Sequence, residues 1–133
     1  MTVVVDAGVV VAALVDTGPD GVWAAAQLTG EHLVAPHLMP VEVANILRRS
    51  ALARDLSADG AALAHADLMD LRVDLFPYEP FADRVWELRR NLTCYDAWYV
   101  ALAEELGVPL ITLHRRIARA SGPRCEIRVP RKT

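Results

Sequence analysis

Short apolar runs rich in β-branched residues alternate with helix-forming segments along the chain, and this alternation limits the fold more than any other feature. Parallel strands need long crossover connections, which are usually helices, so the alternation is typical of a parallel sheet covered by helices. The predicted strands are Val3–Val5, His32–Ala35, Val73–Phe76, Leu110–Leu113 and Glu126–Val129. We therefore predict an α/β fold with roughly five parallel strands between helices. A chain of 133 residues suits one domain, residues 1–133.

The segments between the strands carry start and stop signals of helices. Ser57 and Thr93 can cap helices, Pro80 suits a first turn, and Gly107 can end a helix. The predicted helices are a segment ending at Val15, Trp23–Leu28 begun by Asp20, one from Pro40 onward, Ser57–Leu71, Phe81 to about Arg90, Cys94–Leu106 and a short basic helix around Ile117. Apolar spacing predicts buried faces at Val43, Ile46, Leu47 and Ala51, at Leu63, Ala66 and Leu71, and at Trp86 and Leu88.

The charge balance argues against a surface coated for non-specific nucleic-acid binding, because the net charge is −3 and the pI about 5.7. The basic residues are nevertheless almost all arginine, whose planar guanidinium suits phosphate. Lys132 is the sole lysine. Among the arginine clusters, Arg115, Arg116 and Arg119 are the first candidates for contacts with an RNA backbone, although such clusters can equally be solvated helix faces.

Cysteine usage and the first residues bear on the compartment. Cys94 and Cys125 form no C-x-x-C pair and are expected to be reduced thiols. The apolar opening contains Asp6, lacks a basic start and is too short to span a bilayer. We expect a cytoplasmic protein without a membrane partner.

Three acidic residues stand where a packed core would not ordinarily place them. Asp6 follows three valines at a strand end, Glu42 lies beside an apolar helix stripe, and Asp96 opens a helix with an apolar body. Ligands of parallel sheets bind beyond the carboxyl ends of strands, where Asp6 falls. Carboxylates are the ligands that Mg²⁺ prefers, and a bound Mg²⁺ can activate water against a phosphodiester.

Each acid also has an ordinary structural interpretation. Asp6 could cap the helix that follows it, and Asp96 could form half of a capping box with Thr93. Glu42 could belong to a polar helix face with Asn45 and Arg49. These alternatives stay open for each residue taken singly.

The sequence around the three acids resembles PIN-domain ribonucleases, specifically the VapC-type toxins of bacterial toxin–antitoxin pairs. The matching pieces are VVVDAGVVVAAL, PHLMPVEVANILRR, LTCYDAWYVALAEELGVPLITL and RRIARA. They cover both ends and the middle of the chain, and the piece around Asp96 is the most specific. Residues 52–91 are matched by layout alone.

The resemblance implies a PIN-like domain whose acids meet at the carboxyl edge of the sheet. Asp6, Glu42 and Asp96 match the first three acidic positions of the family, Asn45 a polar neighbour of the glutamate, and Thr112 a threonine near the site. The fourth acidic position departs, because His114 stands where relatives carry an aspartate. That change could shift the metal preference toward Mn²⁺ or Zn²⁺, or it could be without consequence.

We predict that Asp6 and Asp96 bind Mg²⁺, or Mn²⁺, most directly and that Glu42 acts through a water molecule. Mutual repulsion should raise at least one carboxyl pKa in the metal-free protein. The resemblance further implies an endoribonuclease that cuts structured RNA such as tRNA, a VapB-type antitoxin that inserts into the groove, and a homodimer. Trp23, Trp86 and Leu52 could serve such contacts or belong to the core.

Two other functions remain to be weighed. A catalytically silent binding module of the same fold would follow if His114 cripples the site. A phosphoacceptor receiver also carries acids at strand ends, but it needs a lysine near the last strands, and the sole lysine is Lys132. Motifs of phosphate-loop NTPases and of dinucleotide-binding proteins are absent from the sequence.

Overall fold

A parallel five-stranded sheet forms the centre of the molecule, as seen in a computed structural model that describes residues 1–131. Lys132, the sole lysine of the sequence, lies outside these residues. The strand order is β3-β2-β1-β4-β5, and every neighbouring pair is parallel. The strands are β1 (Thr2–Val5), β2 (His32–Pro36), β3 (Val73–Phe76), β4 (Leu110–Ile111) and β5 (Ile127–Arg128). The predicted α/β class and the predicted number of strands are confirmed.

Seven helices connect and flank these strands within residues 1–131. They are α1 (Ala7–Val15), α2 (Pro19–Leu28), α3 (Met39–Leu52), α4 (Ala58–Asp70), α5 (Ala82–Leu88), α6 (Cys94–Leu106) and α7 (Arg115–Arg119), with a 3₁₀ turn at Glu79–Phe81. Helix α2 begins at Pro19 rather than near Trp23, because proline fits the first helical position. In the described part of the chain no single helix is long and apolar enough to cross a membrane. Helices α1 and α2 reach that length and apolar composition only when they are taken together, and a bend of 110° separates them.

The middle strand explains why the chain begins with a valine run. Val3, Val4 and Val5 are almost fully buried, since β1 is paired on both edges and covered on both faces.

Strands β4 and β5 are shorter than the predicted Leu110–Leu113 and Glu126–Val129. The chain leaves the sheet at Thr112, whose hydroxyl accepts a hydrogen bond from the His114 backbone N–H (3.0 Å) and so turns the chain toward α7.

The predicted buried face of α4 is wrong at Leu63 and Ala66, whereas Leu71, directly after the helix, packs partly buried against the core as predicted. Ala64 and Leu68 are buried, whereas Leu63 is 64% exposed and Ala66 is also exposed. Alanines lie all around this helix, so apolar spacing did not single out one face. Trp86 is likewise exposed instead of packed, with the Arg89 guanidinium 4.4 Å from its ring centre.

A network of charged hydrogen bonds fastens the C-terminal segment to α6. Arg84 on α5 donates through Nε and Nη2 to the Glu104 carboxylate (2.7 and 3.1 Å) and through Nη2 to the Gly122 carbonyl (2.8 Å). The Arg124 backbone N–H donates to the same carboxylate. Burial disfavours the charged form of Glu104, yet these hydrogen bonds and the Arg84 charge outweigh it and lower the pKa of Glu104.

Glu104→Gln should reduce the free energy of unfolding at neutral pH by about 1–3 kcal/mol, because a bidentate, mostly buried carboxylate is lost. A carboxyl with a lowered folded-state pKa stabilises the protein above its unfolded pKa, near 4.5, and loses that contribution as the pH falls through the lower folded value. The difference from wild type should therefore shrink in acid. Urea unfolding at several pH values measures it, with Glu105→Gln on the exposed side of the helix as the control.

Candidate active site

The candidate site lies at the carboxyl ends of β1 and β4, where the strand order reverses direction along the sheet. Asp6 directly follows β1, and Thr112 directly follows β4. The connections from these two neighbouring strands run to opposite sides, so a crevice opens between them. This topology joins residues that are 106 positions apart in the sequence.

Asp6 is a nearly buried carboxylate, 7% exposed, with both oxygens engaged. Its Oδ1 accepts the Val9 backbone N–H (2.9 Å) at the start of α1, and its Oδ2 accepts the Thr112 hydroxyl. The structural interpretation as a helix cap is therefore correct for Asp6. It does not exclude a functional role, because each carboxylate oxygen has further lone pairs that can bind a cation.

The pKa of Asp6 is raised, chiefly because burial disfavours its charge. The hydrogen bonds from Thr112 and Val9 and the nearby His114 oppose this shift, while the Asp96 carboxylate adds to it. Sequence analysis expected a raised pKa from repulsion between acids. The expected direction is confirmed, but repulsion is a smaller cause than burial.

Glu42 lies in the first turn of α3, half-buried, and its Oε1 accepts a hydrogen bond from the Tyr99 hydroxyl (2.8 Å). Burial raises the pKa of Glu42, the Tyr99 hydrogen bond lowers it, and the charges of Asp6 and Asp96 raise it again; the net shift is upward. Burial and the Glu42 charge raise the pKa of Tyr99 as well, so Tyr99 keeps its proton and acts as a donor. Sequence analysis missed Tyr99, although it follows Asp96 by one helical turn and so shares its face of α6.

Asp96 is half-buried in the first turn of α6. Thr93 caps this helix, because its Oγ1 accepts the Asp96 backbone N–H (3.1 Å). Gly107 ends the helix in the left-handed conformation (φ 66°), which a glycine adopts without steric cost. These local signals fix where α6 begins and ends, and the packing of the helix places Asp96 at the crevice.

All three acids line one cleft of about 570 Å³. Asn45 and His114 line it too, and so does Arg49, which could from the sequence have belonged to an ordinary polar helix face. Arg115, Arg116 and Arg119 lie on α7, the helix that follows His114, and do not line the cleft. Arg116 and Arg119 are exposed and Arg115 is half-buried, so their role in RNA binding stays a prediction.

The side chains of the cleft offer a divalent cation carboxylate oxygens from separate segments of the chain. Within residues 1–131, no three His, Cys, Asp or Glu side chains stand close enough together to bind one ion directly. Mg²⁺ in proteins usually takes one or two carboxylates and completes its shell with water and substrate oxygens. Three carboxylates in one cleft fit a cation held in that way, with the remaining acid acting through water.

Comparisons with known proteins bear on the family and the fold of the chain. A model of the PIN domain family matches residues 3–123. The protein Ribonuclease VapC1 of Mycobacterium tuberculosis is 41% identical over 129 residues, which cover 96% of this chain and 97% of that protein. The crystal structure of PAE2754 from Pyrobaculum aerophilum has a TM-score of 0.67 at 22% identity, covering 96% of this chain and 83% of that one. The crystal structure of VapBC2 from Rickettsia felis, bound to a DNA fragment from their promoter, has a TM-score of 0.65 at 13% identity, covering 97% and 98%. At such identities these two structures show likeness of fold alone.

Proposed function

The chain belongs to the PIN domain family, among the VapC ribonucleases, and we propose that it is the endoribonuclease toxin of a VapBC pair that cuts RNA with the help of Mg²⁺ or Mn²⁺. The observation that carries the proposal is the position of Asp6, Glu42 and Asp96 in one cleft at the point where the strand order reverses. No ordinary requirement of folding brings three acids from distant segments into a single cleft, since like charges repel and buried charges are costly.

Asp6 and Asp96 would hold the cation, and Glu42 would contact it through water. When bound, the cation polarises the phosphodiester and lowers the pKa of the attacking water. Thr112 and Val9 fix the Asp6 carboxylate from two sides, so its orientation needs no reorganisation when a cation arrives. A cation also offsets the burial that now disfavours the charge of Asp6.

Glu42 is suited to orient the attacking water. Tyr99 holds Oε1 (2.8 Å) and thereby fixes the plane of the carboxylate, which leaves Oε2 to accept a hydrogen bond from water. Arg49 brings a positive charge to the same cleft, where it can contact a phosphate of the strand being cut. His114 is exposed at the rim and lowers the pKa of Asp6 by its charge, so we expect it to modulate the site rather than replace a carboxylate.

Membership of the family supports a proposal for the substrate class and for the partner. Relatives are named ribonucleases, and a solved neighbour is a VapBC complex. We propose a structured RNA such as tRNA as the substrate and a VapB-type antitoxin as the partner. A homodimer also remains a proposal; Leu52 and Trp86 are exposed and available for such contacts, whereas Trp23 packs against the core.

Adding Mg²⁺ or Mn²⁺ should raise the melting temperature and switch on cleavage of RNA by the purified chain, and EDTA should reverse both. Cation concentrations about 100-fold above Kd should add about 2.7 kcal/mol to the free energy of unfolding. Calorimetry and gel analysis of cleaved tRNA measure the two effects. The control is KCl at equal ionic strength.

A flat melting temperature across the titration would contradict the metal site. Absence of cleavage together with retained binding of the antitoxin would instead favour the silent binding module that the sequence left open. Sequencing the ends of cellular RNA after brief expression without antitoxin would identify the RNA that is cut.

A further inference from the structure

A second cavity, of about 440 Å³, opens directly beside the acidic cleft. Leu38 and Tyr95 line both spaces, so the two form one continuous surface from the carboxylates outward. We call this cavity the aromatic groove, because Tyr78, Tyr95 and Trp98 form much of its wall. The proposed cleavage reaction assigns it no role.

Two of the three aromatic side chains of the groove pack against each other. Tyr78 and Trp98 pack edge to face, with ring centres 5.3 Å apart and planes at 83°. Trp98 is 7% exposed and is anchored in the core, while Tyr95 is 59% exposed and Tyr78 37% exposed. A large tyrosine ring at the mouth of a cavity leaves apolar surface exposed to water, which is unfavourable. The same ring can stack on a ligand.

The charge of the groove differs from that of the cleft. Its wall contains Glu79 and His37, and none of the lining residues within 1–131 is an arginine that could bind a phosphate. The cleft beside it holds the carboxylates for a cation and Arg49 for a phosphate. A single-stranded polynucleotide presents the matching pattern, since a charged phosphate alternates with a flat, uncharged base.

We infer that the aromatic groove is a base-binding subsite that stacks one unpaired nucleobase of RNA next to the phosphate held in the acidic cleft. The inference rests on the proposed ribonuclease function. Proteins that read single strands stack splayed bases on aromatic side chains, and this contact tolerates different bases because each has a π face. The subsite would restrict cutting to loops and other unpaired segments, because a base within a duplex cannot reach the groove.

The test uses a single-stranded probe with only one base. A strand of abasic ribose phosphates that carries a single 2-aminopurine is compared with a fully abasic strand of the same length. Asp6→Asn protein is used so that the probe stays intact. We expect the single base to tighten binding by about 10-fold to 100-fold, and stacking should quench the 2-aminopurine fluorescence.

The groove variants are Tyr95→Leu and Tyr78→Leu, which keep apolar bulk but remove the ring. Each should abolish most of the quenching and most of the affinity gained from the base, while the fully abasic strand binds them as it binds the parent protein. Trp86→Leu is the matched control, because Trp86 is equally exposed (61%) but lies on α5 outside the groove. It should leave the affinity within about 2-fold of the parent value, as expected for a side chain that does not stack on the probe.

Equal affinity for the two strands, or unchanged quenching in the tyrosine variants, would overturn the inference. The inference would also be overturned if these variants bound the base as the parent protein does but differed from it in sedimenting mass. That result would indicate that the groove is an interface between copies of the chain. These outcomes differ from failure of the proposed function, in which wild-type protein would not cleave RNA whatever the groove binds.

Discussion

Asp6→Asn should abolish RNA cleavage and at the same time raise the melting temperature of the metal-free protein. Activity should fall at least about 100-fold. Even a substitution of a residue that only supports a metal ligand lowers metal affinity or activity by about 10-fold to 100-fold. Stability should rise because burial gives Asp6 a raised pKa in the folded state. A carboxyl group whose pKa is raised in the folded state destabilises the protein at pH values above that folded-state pKa. The destabilisation disappears as the pH falls to the pKa that the group has in the unfolded chain.

Asparagine keeps the helix cap, but its amide NH₂ cannot accept the hydrogen bond from the Thr112 hydroxyl; the melting temperature is expected to rise because removing a buried charge outweighs that loss. Its amide oxygen can accept the Val9 backbone N–H, so the cap of α1 remains. The stabilisation should be measurable by thermal unfolding in EDTA at neutral pH and should vanish in acid. Asp16→Asn, an exposed aspartate at the other end of α1, is the control for charge alone. Full activity of Asp6→Asn would disprove the assignment of this carboxylate.

Thr112→Val should reduce cleavage at neutral pH by about 10-fold to 100-fold and move the acid limb of the pH–rate profile to higher pH. The Thr112 hydroxyl donates to Asp6 Oδ2 and accepts the His114 backbone N–H, and it is fully buried. Its hydrogen bond lowers the pKa of Asp6, so its loss lets that pKa rise further. A cation then competes with a proton that is bound more tightly.

The same substitution removes a partner from the buried Asp6 carboxylate and from the part-buried His114 backbone N–H, so the free energy of unfolding should fall by about 1–3 kcal/mol. Thr112→Ser keeps the hydroxyl and should restore the wild-type pH profile even where it loses some packing. A merely structural role of Thr112 would lower stability in the valine variant while leaving the position of the acid limb unchanged. The profile of kcat/KM against pH therefore separates the two roles.

Local signals in the sequence were sufficient for most of the secondary structure. The valine run of β1, the Thr93 cap and the Gly107 terminus of α6 each act through a few neighbouring residues, and the structure contains them where the sequence predicted. The α4 helix shows where such signals fail. With alanine on several sides, Leu63 and Leu68 were equally plausible core residues, and packing against α1 and α3 buried only Leu68.

For the site, the acids at Asp6, Glu42 and Asp96 were identifiable from their positions and from the family resemblance, and the structure places them in one cleft. Their roles as metal ligands remain a prediction. Arg49 lines the cleft, whereas the sequence pointed to the arginines of α7, whose role in RNA binding stays a prediction. A helix face is visible in the sequence, but which helix faces a cleft is not.

The sequence by itself determined the alternation of strands and helices and the ends of the main helices, because these depend on backbone hydrogen bonding and on periodicity within a few residues. It identified the three acids only together with the family resemblance. Only the tertiary structure decided that Thr112 supports Asp6 and that Tyr99 holds Glu42. Those pairs join residues far apart in the chain, and they form because the strand order places β4 beside β1 and packing turns one face of α6 toward α3.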